Sequence, residues 1–346
     1  MNKFIAFARH TALGLISILL ASGLLLWSDP GKERSSQNQG SQVLKIAIMN
    51  FISVPVLENG EKGLLAGLAE KGFEDGGKLE IVRYNAEGDR ATAILIAKDV
   101  VGRGYDLALT LSTPMLQSLA SSNLDTKQKH MFTLTTDPAG AGVGISRNDP
   151  LDHPPYMTGY GTPQPVDKLF EMARRANPKL KRVGVLWNPA ESNSEASTIQ
   201  ARAICKKLNI ELIEITVDSS AAILESAKAL LARNVEAIWA GGDTVVAAGL
   251  ETMIATAASG GIPVFTNMPE DVQVGALFCL GADYFEVGRS GGHLAARILN
   301  GEDIATIPVE NFVPEQLAIN NKVAPQFLSS WTIPPEWQQQ AKKIVD

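Results

Sequence analysis

The chain has 346 residues, of which 45% are hydrophobic and 20% charged, and its formal net charge is -6. A chain of this length and apolar content forms globular domains, which excludes an intrinsically disordered protein. Its basic residues are dispersed apart from short pairs such as Lys206 and Lys207. We therefore expect no nucleic-acid partner, because phosphate binding needs a concentrated basic surface.

The first 27 residues have the pattern of a targeting segment. Lys3, Arg9 and His10 precede residues 11–27, an uncharged, strongly apolar run of 17 residues. This pattern predicts a signal sequence or a membrane anchor, and the lack of a clear Ala-x-Ala cleavage site favours an anchor. The basic start and the polar linker at 28–43 argue against a buried core helix. We expect the folded part to be extracytoplasmic and periplasmic, tethered to the inner membrane if the segment is not cleaved.

From residue 43 onward, short apolar runs alternate with segments of helical periodicity. Strands are predicted at 43–51, 79–84, 106–111 and 130–134. Helices are predicted at 61–71, through Ile94, Ala97 and Val101, and from Pro114. Strands that alternate with helices indicate a parallel sheet covered on both faces.

Residues 146–165 interrupt this alternation with five prolines and no helical pattern. The pattern then resumes with helices predicted at 166–175, 195–208, 221–232 and 245–259, and strands at 182–187, 211–217, 237–240, 263–266 and 276–280. The second half thus repeats the architecture of the first. Two α/β lobes of about 150 residues each, with a cleft between them, are the simplest interpretation.

The two cysteines are too few to provide a disulfide framework. Cys205 lies in a predicted helix and Cys279 in a predicted strand. Two buried free thiols are the favoured interpretation, since burial suits a small, soft side chain. A pairing between them stays open at this point.

Polar residues follow several of the predicted strands. In open parallel sheets, ligands bind beyond the carboxyl ends of the strands, where helix N-termini offer free N–H groups. The polar segments at these ends are Ser112-Thr113-Pro114, Thr135-Thr136-Asp137, Asn188-Pro189, Ser192-Asn193-Ser194, Gly241-Gly242-Asp243-Thr244 and Gly281-Ala282-Asp283-Tyr284.

A cleft with this lining suits a small zwitterion. Its carboxylate would lie on helix N-termini and its ammonium on Asp243 or Asp283. Each of these aspartates has an alternative role as the N-cap of the following helix, and Ser112 has the same alternative. The combination across several loops favours a binding site.

Seven segments form an ordered series along the chain. They are Phe51 with Pro55, Ser112-Thr113-Pro114, Thr136-Asp137-Pro138-Ala139-Gly140-Ala141-Gly142, Met157-Thr158-Gly159, Trp187-Asn188-Pro189-Ala190-Glu191-Ser192-Asn193-Ser194, Gly242-Asp243-Thr244-Val245 and residues 275–284. The series resembles the ABC-transporter substrate-binding proteins of the tryptophan/tyrosine-type group, which have the type 1 periplasmic-binding fold. The resemblance covers about residues 44–310.

The resemblance implies a first lobe at 44–158, completed by about 284–312, and a second lobe at 159–283, with a tail at 313–346 packing across both. The chain would cross between lobes near 157–161, near Asp283 and near 309–312. The resemblance also implies capture of an aromatic or aliphatic amino acid by hinge closure, and delivery to a membrane ABC permease. We expect a monomer.

The strand ends and the resemblance together predict a set of ligand-binding residues. They are Phe51, Ser112, Thr113, Thr136 and Asp137 from the first lobe, and Asn188, Asn193, Asp243, Thr244 and Asp283 from the second lobe and its end.

Three features depart from the family pattern. No cysteine follows the apolar segment, Thr244 stands where asparagine is common, and residues 146–156 form a longer, proline-rich stretch.

Two other classes of function stay open. An enzyme is one, but the four histidines lie outside known catalytic motifs, and we expect no catalytic residue, metal or cofactor. A ligand-sensing domain that signals through a membrane partner is the other. Turnover of a bound ligand would favour the enzyme.

Overall fold

The computed structural model describes residues 43–346 of the chain. The predicted apolar segment at 1–27, and all but the last residue of the predicted linker at 28–43, lie outside these residues. Within 43–346, no helix is both long enough and apolar enough to cross a membrane.

The first of two sheets is built mainly from the first part of the described chain. Its elements are β1 (Leu44–Asn50), α1 (Pro55–Glu70), β2 (Leu79–Asn85), α2 (Arg90–Arg103), β3 (Leu107–Leu111), α3 (Thr113–Ser122), β4 (His130–Thr135) and β5 (Met157–Gly161). A late strand, β11 (Glu310–Asn311), joins its edge, so the order is β11-β5-β4-β3-β1-β2 with all pairs parallel. We call this sheet and the helices packed on it the first lobe.

The second sheet follows the same plan. Its elements are α4 (Val166–Ala176), β6 (Arg182–Trp187), α5 (Ser192–Leu208), β7 (Glu211–Thr216), α6 (Ile223–Ala232), β8 (Ala237–Ala240), α7 (Thr244–Ala248), α8 (Leu250–Ser259), β9 (Val264–Thr266), β10 (Phe278–Ala282), β12 (Glu315–Asn320), α10 (Pro335–Gln340) and β13 (Lys343–Val345). The strand order is β13-β12-β10-β9-β8-β6-β7, and only the β10–β12 pair is antiparallel. This sheet and its helices form the second lobe.

Both faces of each sheet are buried, as parallel sheets require. In β1, Ile46 and Ile48 pack with α1 on one face, whereas Ala47 and Met49 pack with α2 on the other. All four side chains are fully buried. The expected α/β fold with two mainly parallel sheets is confirmed.

The chain passes between the lobes at three places. They are the segment between β5 and α4, residue Asp283 after β10, and the segment between β11 and β12. After Asp283, α9 (Tyr284–Leu299) packs against α1 in the first lobe. The predicted lobe boundaries at 158 and 283 stay a prediction.

Three local features differ from the sequence-based expectations. Helix α1 begins at Pro55 rather than near 61, because Val54 is extended and proline suits a first helical turn. The predicted helix at 245–259 is divided at Gly249 into α7 and α8. The tail, expected to pack across both lobes, adds two strands to the second sheet: β12 pairs with β10, and β13 pairs with β12.

Cys205 and Cys279 are buried free thiols in α5 and β10. Burial raises the pKa of both thiols. The favoured interpretation of the two cysteines therefore agrees with the structure.

Candidate functional site

A cavity of about 240 Å³ lies between the lobes, beyond the carboxyl ends of strands from both sheets. This volume is slightly below the usual range for small-molecule sites, about 300–1,000 Å³. Much of its wall is apolar. The apolar residues are Val54, Pro55, Val56, Leu57, Pro114 and Leu134 from the first lobe and Ala240, Val246, Ala247, Leu250, Met268 and Val274 from the second.

The start of α3 supplies the polar part of the first-lobe wall. Ser112, Thr113 and Thr136 all line the cavity. Ser112 precedes the helix with φ 96°, and its side chain makes no capping hydrogen bond. Its buried hydroxyl has no hydrogen-bond partner among the described residues. The hydroxyl is thus available to a ligand, together with the first turn of a ten-residue helix.

Leu134 and Ser112 both have a positive φ, 55° and 96°, at the ends of adjacent strands. Non-glycine residues adopt this conformation at a cost, and such strain is concentrated at functional sites. At Leu134 the β4–β5 register also shifts. The bulge places the Leu134 side chain against Gly60 of α1, where a Cβ atom would overlap it. Leu134 and Ser112 both line the cavity.

Asp243 lines the second-lobe wall, but its carboxylate oxygens are already engaged. Oδ2 accepts from the Asn188 N–H and the Ser194 hydroxyl, both at 2.6 Å, and Oδ1 caps α7 at the Val246 N–H, at 2.8 Å. Burial, reinforced by the charge of Glu191, raises the pKa of Asp243 to about 6. The N-cap role is therefore the one seen in the structure.

Glu191 organises the neighbouring polar groups, a role that the sequence analysis did not identify. Its side chain is buried and accepts from the Thr244 N–H at 3.0 Å, the Thr244 hydroxyl at 2.6 Å and Asn193 Nδ2 at 2.9 Å. Thr244 thus serves as a donor to Glu191 through both its N–H and its hydroxyl. The sequence feature that could have indicated Glu191 is the segment Glu191-Ser192-Asn193, which follows the end of β6.

The side-chain amide of Asn193 is fixed by hydrogen bonds of its nitrogen, and its carbonyl oxygen has no partner among the described residues. Nδ2 donates to Glu191 and, at 2.7 Å, to the carbonyl of Gly242. Because both partners are acceptors, the orientation of the amide is determined. The buried Oδ1 has no partner among the described residues, and Asn193 lines the cavity.

Six of the ten residues expected to bind a ligand line the cavity: Ser112, Thr113, Thr136, Asn193, Asp243 and Thr244. The other four lie elsewhere. Phe51 is buried in the core between β1 and α2. Asp137 pairs with Arg147 at 2.8 Å, Asn188 supports Asp243 through its backbone, and Asp283 caps α9 at the Glu286 N–H.

The structure adds cavity residues that no sequence motif indicated. They are Glu251, Glu270, Asp271, Gln273 and Lys343, while Tyr284 of the predicted strand-end segment 281–284 lines the cavity as well. Three of the five lie in the 3₁₀ segment Pro269–Val274, and Lys343 is in β13. Burial raises the pKa of Glu270, and that of Asp271 to about 7. The position of Glu270 and Asp271 directly after β9 could have indicated them as cleft residues from the sequence. Nothing in the sequence connected Lys343 to the cleft.

The two lobes contact each other around the cavity. Asn59 Nδ2 of α1 donates to Glu270 Oε1 at 2.9 Å, and Gln117 Nε2 of α3 donates to the Ser192 hydroxyl at 3.3 Å. The Arg90 guanidinium donates to the carbonyl oxygen of Ala190. Direct hydrogen bonds thus join the two lobes.

Comparison with known proteins identifies the family. Residues 45–334 match the family of ABC transporter substrate binding proteins. The chain is 27% identical over 310 residues to a tyrosine-binding protein of Clostridioides difficile, covering 89% of this chain and 88% of the relative.

Solved structures agree with this assignment. A conserved domain protein from Vibrio cholerae is 30% identical with a TM-score of 0.82, and an ABC domain from Streptococcus pneumonia in complex with L-Trp is 28% identical with a TM-score of 0.81. Both comparisons cover 87% of this chain and 99% of the other. A ligand-free, open structure of a substrate binding protein from Clostridium difficile, 25% identical, has a TM-score of 0.65 and covers 88% of this chain and 99% of that one. The resemblance inferred from the sequence is confirmed, and the chain belongs to the ABC transporter substrate binding protein family.

Proposed function

We propose that this protein is the extracytoplasmic solute-binding component of an ABC uptake transporter and that it binds an amino acid with an aromatic or aliphatic side chain. The observation that carries this proposal is the cavity between the lobes. Apolar residues from both lobes line much of it, and polar groups without partners are also present. Such a combination suits a zwitterion with an apolar side chain.

The carboxylate of the ligand has a suitable place at the start of α3. The Ser112 hydroxyl and the N-terminal turn of this helix favour an anion through hydrogen bonds and the helix dipole. The apolar side chain then lies between Leu57 and Leu134 of the first lobe and Leu250 and Met268 of the second.

Hinge closure around the ligand is part of the same proposal. The three crossings between the lobes allow rotation, and the contacts of Asn59, Gln117 and Arg90 stabilise the closed arrangement. The TM-score is higher against the L-Trp complex than against the ligand-free, open structure, which supports a closed form here. A membrane permease would recognise this closed form.

The test is a thermal-shift screen of the purified protein against the common amino acids, with sugars and purines alongside. A ligand of the folded state raises the melting temperature by mass action. We expect a rise with aromatic or aliphatic L-amino acids, confirmed by calorimetry. No response to any amino acid, with a response to another class, contradicts the proposal.

Consumption of the ligand points to an enzyme, and binding that fails to stimulate the ATPase of a reconstituted permease points to a sensor.

A further inference from the structure

Glu270 is a cavity residue with one bonded and one unpartnered carboxylate oxygen. It lies in the 3₁₀ segment Pro269–Val274 of the second lobe, directly after β9, and lines the cavity. Its Oε1 accepts the hydrogen bond from Asn59 of the first lobe at 2.9 Å. Its Oε2 is buried and has no hydrogen-bond partner among the described residues. One carboxylate oxygen at the cavity wall is therefore unsatisfied.

No basic side chain of the described residues forms an ion pair with Glu270, although the charge of Lys343 opposes the rise in the pKa of this carboxyl. Lys343 also lines the cavity, but it makes no ion pair with Glu270 within 4.0 Å in this part of the chain. Asp271 and Asp283 add negative charge nearby. Glu270 is half-buried, but its Oε2 atom is buried without a partner. With acidic neighbours, such a carboxylate is costly unless it is protonated or a cation binds beside it.

Asn193 supplies a second unpartnered acceptor. The residue is 5% exposed, lines the cavity, and has a free Oδ1 because its Nδ2 is held by Glu191 and Gly242. The third buried atom without a partner in this wall is the Ser112 hydroxyl, which can donate to an anion. The cavity thus offers free acceptors from the second lobe and a free donor at a helix N-terminus in the first.

Asp243, the ammonium partner expected from the sequence, differs from Glu270 in this respect. Its oxygens accept three hydrogen bonds from within the second lobe. An ammonium at Asp243 would compete with these bonds, whereas at Glu270 it would satisfy an oxygen that has none.

We propose that Glu270 is the residue that binds the α-ammonium of the amino acid, assisted by the Asn193 carbonyl oxygen, and thereby sets the specificity for amino acids over plain carboxylic acids. This inference rests on the proposed function. Because the other oxygen of Glu270 is held by Asn59 of the opposite lobe, recognition of the ammonium and contact between the lobes involve the same carboxylate.

The test compares each amino acid with its analogue that lacks the α-ammonium. The pairs are L-tryptophan with indole-3-propionate, L-tyrosine with 3-(4-hydroxyphenyl)propionate, and L-leucine with 4-methylpentanoate. Calorimetry measures Kd for the wild type, Glu270→Gln and Asp243→Asn. The matched control is Glu58→Gln, since Glu58 is exposed on α1, beside Asn59, and does not line the cavity.

We expect Glu270→Gln to weaken binding of the amino acid at least about 30-fold, because an ammonium in a buried pair loses its partner. Binding of the des-amino analogue should be unchanged or tighter, so the preference for the amine falls. If Glu270 had only a structural role, Glu270→Gln would weaken binding of the amino acid and of its des-amino analogue equally. Asp243→Asn should leave the preference intact, and Glu58→Gln should leave both Kd values unchanged.

The outcomes separate this inference from the proposed function. If the wild type prefers the amine and Glu270→Gln keeps that preference, Glu270 is not the ammonium partner, although the protein still binds amino acids. If the preference is lost in Asp243→Asn instead, the assignment expected from the sequence is restored. If the wild type binds none of the amino acids, the proposed function itself is wrong and this inference with it.

Discussion

Asp243 and Glu270 are both carboxylates in the wall of one cavity, but they differ in their hydrogen bonds. Asp243 accepts three bonds that connect the end of β6, the first turn of α5 and the start of α7. Glu270 accepts one bond, from the opposite lobe. At the scale of the residue, Asp243 therefore stabilises the second lobe, whereas Glu270 is available to a ligand.

The role of Asp243 predicts a pH-dependent effect of Asp243→Asn on the ligand-free protein. The variant should lose about 1–3 kcal/mol of unfolding free energy, because amide nitrogen cannot accept the hydrogen bonds of Asn188 or Ser194. The folded pKa of Asp243, about 6, lies above its ordinary value of 3.8. The native state therefore binds more protons between these values, and this carboxyl lowers wild-type stability as pH rises through them.

It follows that the stability difference between wild type and Asp243→Asn is larger near about pH 4.5 than near about pH 8. Urea unfolding at both pH values measures it, and titrating groups that do not interact with Asp243 cancel because both proteins share them. A difference that shrinks at acid pH would mean that burial does not raise this pKa.

The contact between α1 and α9 is the element that fixes the geometry of the first-lobe wall. The two backbones touch, because a Cβ atom on Gly63 or Gly67 would overlap carbonyl oxygens of Phe285 or Arg289. Helix α9 starts at Tyr284, and α1 carries Leu57, so both helices reach the cavity. The position of the wall thus depends on glycines outside it.

Gly63→Ala should destabilise the protein by about 2 kcal/mol or more, because the clash is with backbone and cannot be relieved by a side-chain rotation. Gly102 in α2 is the matched control. A Cβ atom there meets nothing within 4 Å, so Gly102→Ala should raise stability by up to about 1 kcal/mol through helix propensity. Thermal and urea unfolding test both variants. Equal effects of the two substitutions would contradict close packing of α1 and α9.

At the scale of the whole molecule, the proposed closure involves hydrogen bonds between the lobes, beside apolar contacts of Ala247 and Met268 with the first-lobe core. Asn59, Gln117 and Arg90 of the first lobe each donate one hydrogen bond to the second. Of these, the Asn59 and Arg90 bonds each involve a charged group, and the Asn59 bond is the less exposed of the two. Bonds to charged groups contribute about 1.5–3 kcal/mol.

Asn59→Ala should therefore shift the equilibrium toward the open form and weaken ligand binding by about tenfold or more. Small-angle scattering should show a larger radius of gyration for the variant at a ligand concentration that compacts the wild type. Asn85→Ala is the control, because Asn85 donates to Ser53 within the first lobe. Compaction identical to that of the wild type would exclude a role of Asn59 in closure.

The strands and the class of fold were predictable from local patterns. The apolar runs at 43–51, 106–111 and 182–187 correspond to β1, β3 and β6, because a parallel strand buried on both faces reads as a continuous apolar segment. The start of α1 was not predictable in the same way. Gly60 weakens its helical pattern, and the reason for that glycine is contact with Leu134, far away in the chain.

The sequence by itself determined the family, the two-lobed α/β plan and the strand ends that line the cleft, because periodicity and turn residues are local and parallel strands present their ends together. Tertiary structure alone decided which carboxylates are satisfied and which are free. That difference depends on partners distant in the chain, such as Asn59 for Glu270 and Asn188 for Asp243. It also brought Lys343 of the tail to the cavity through β13, whose pairing with β12 no local pattern indicated.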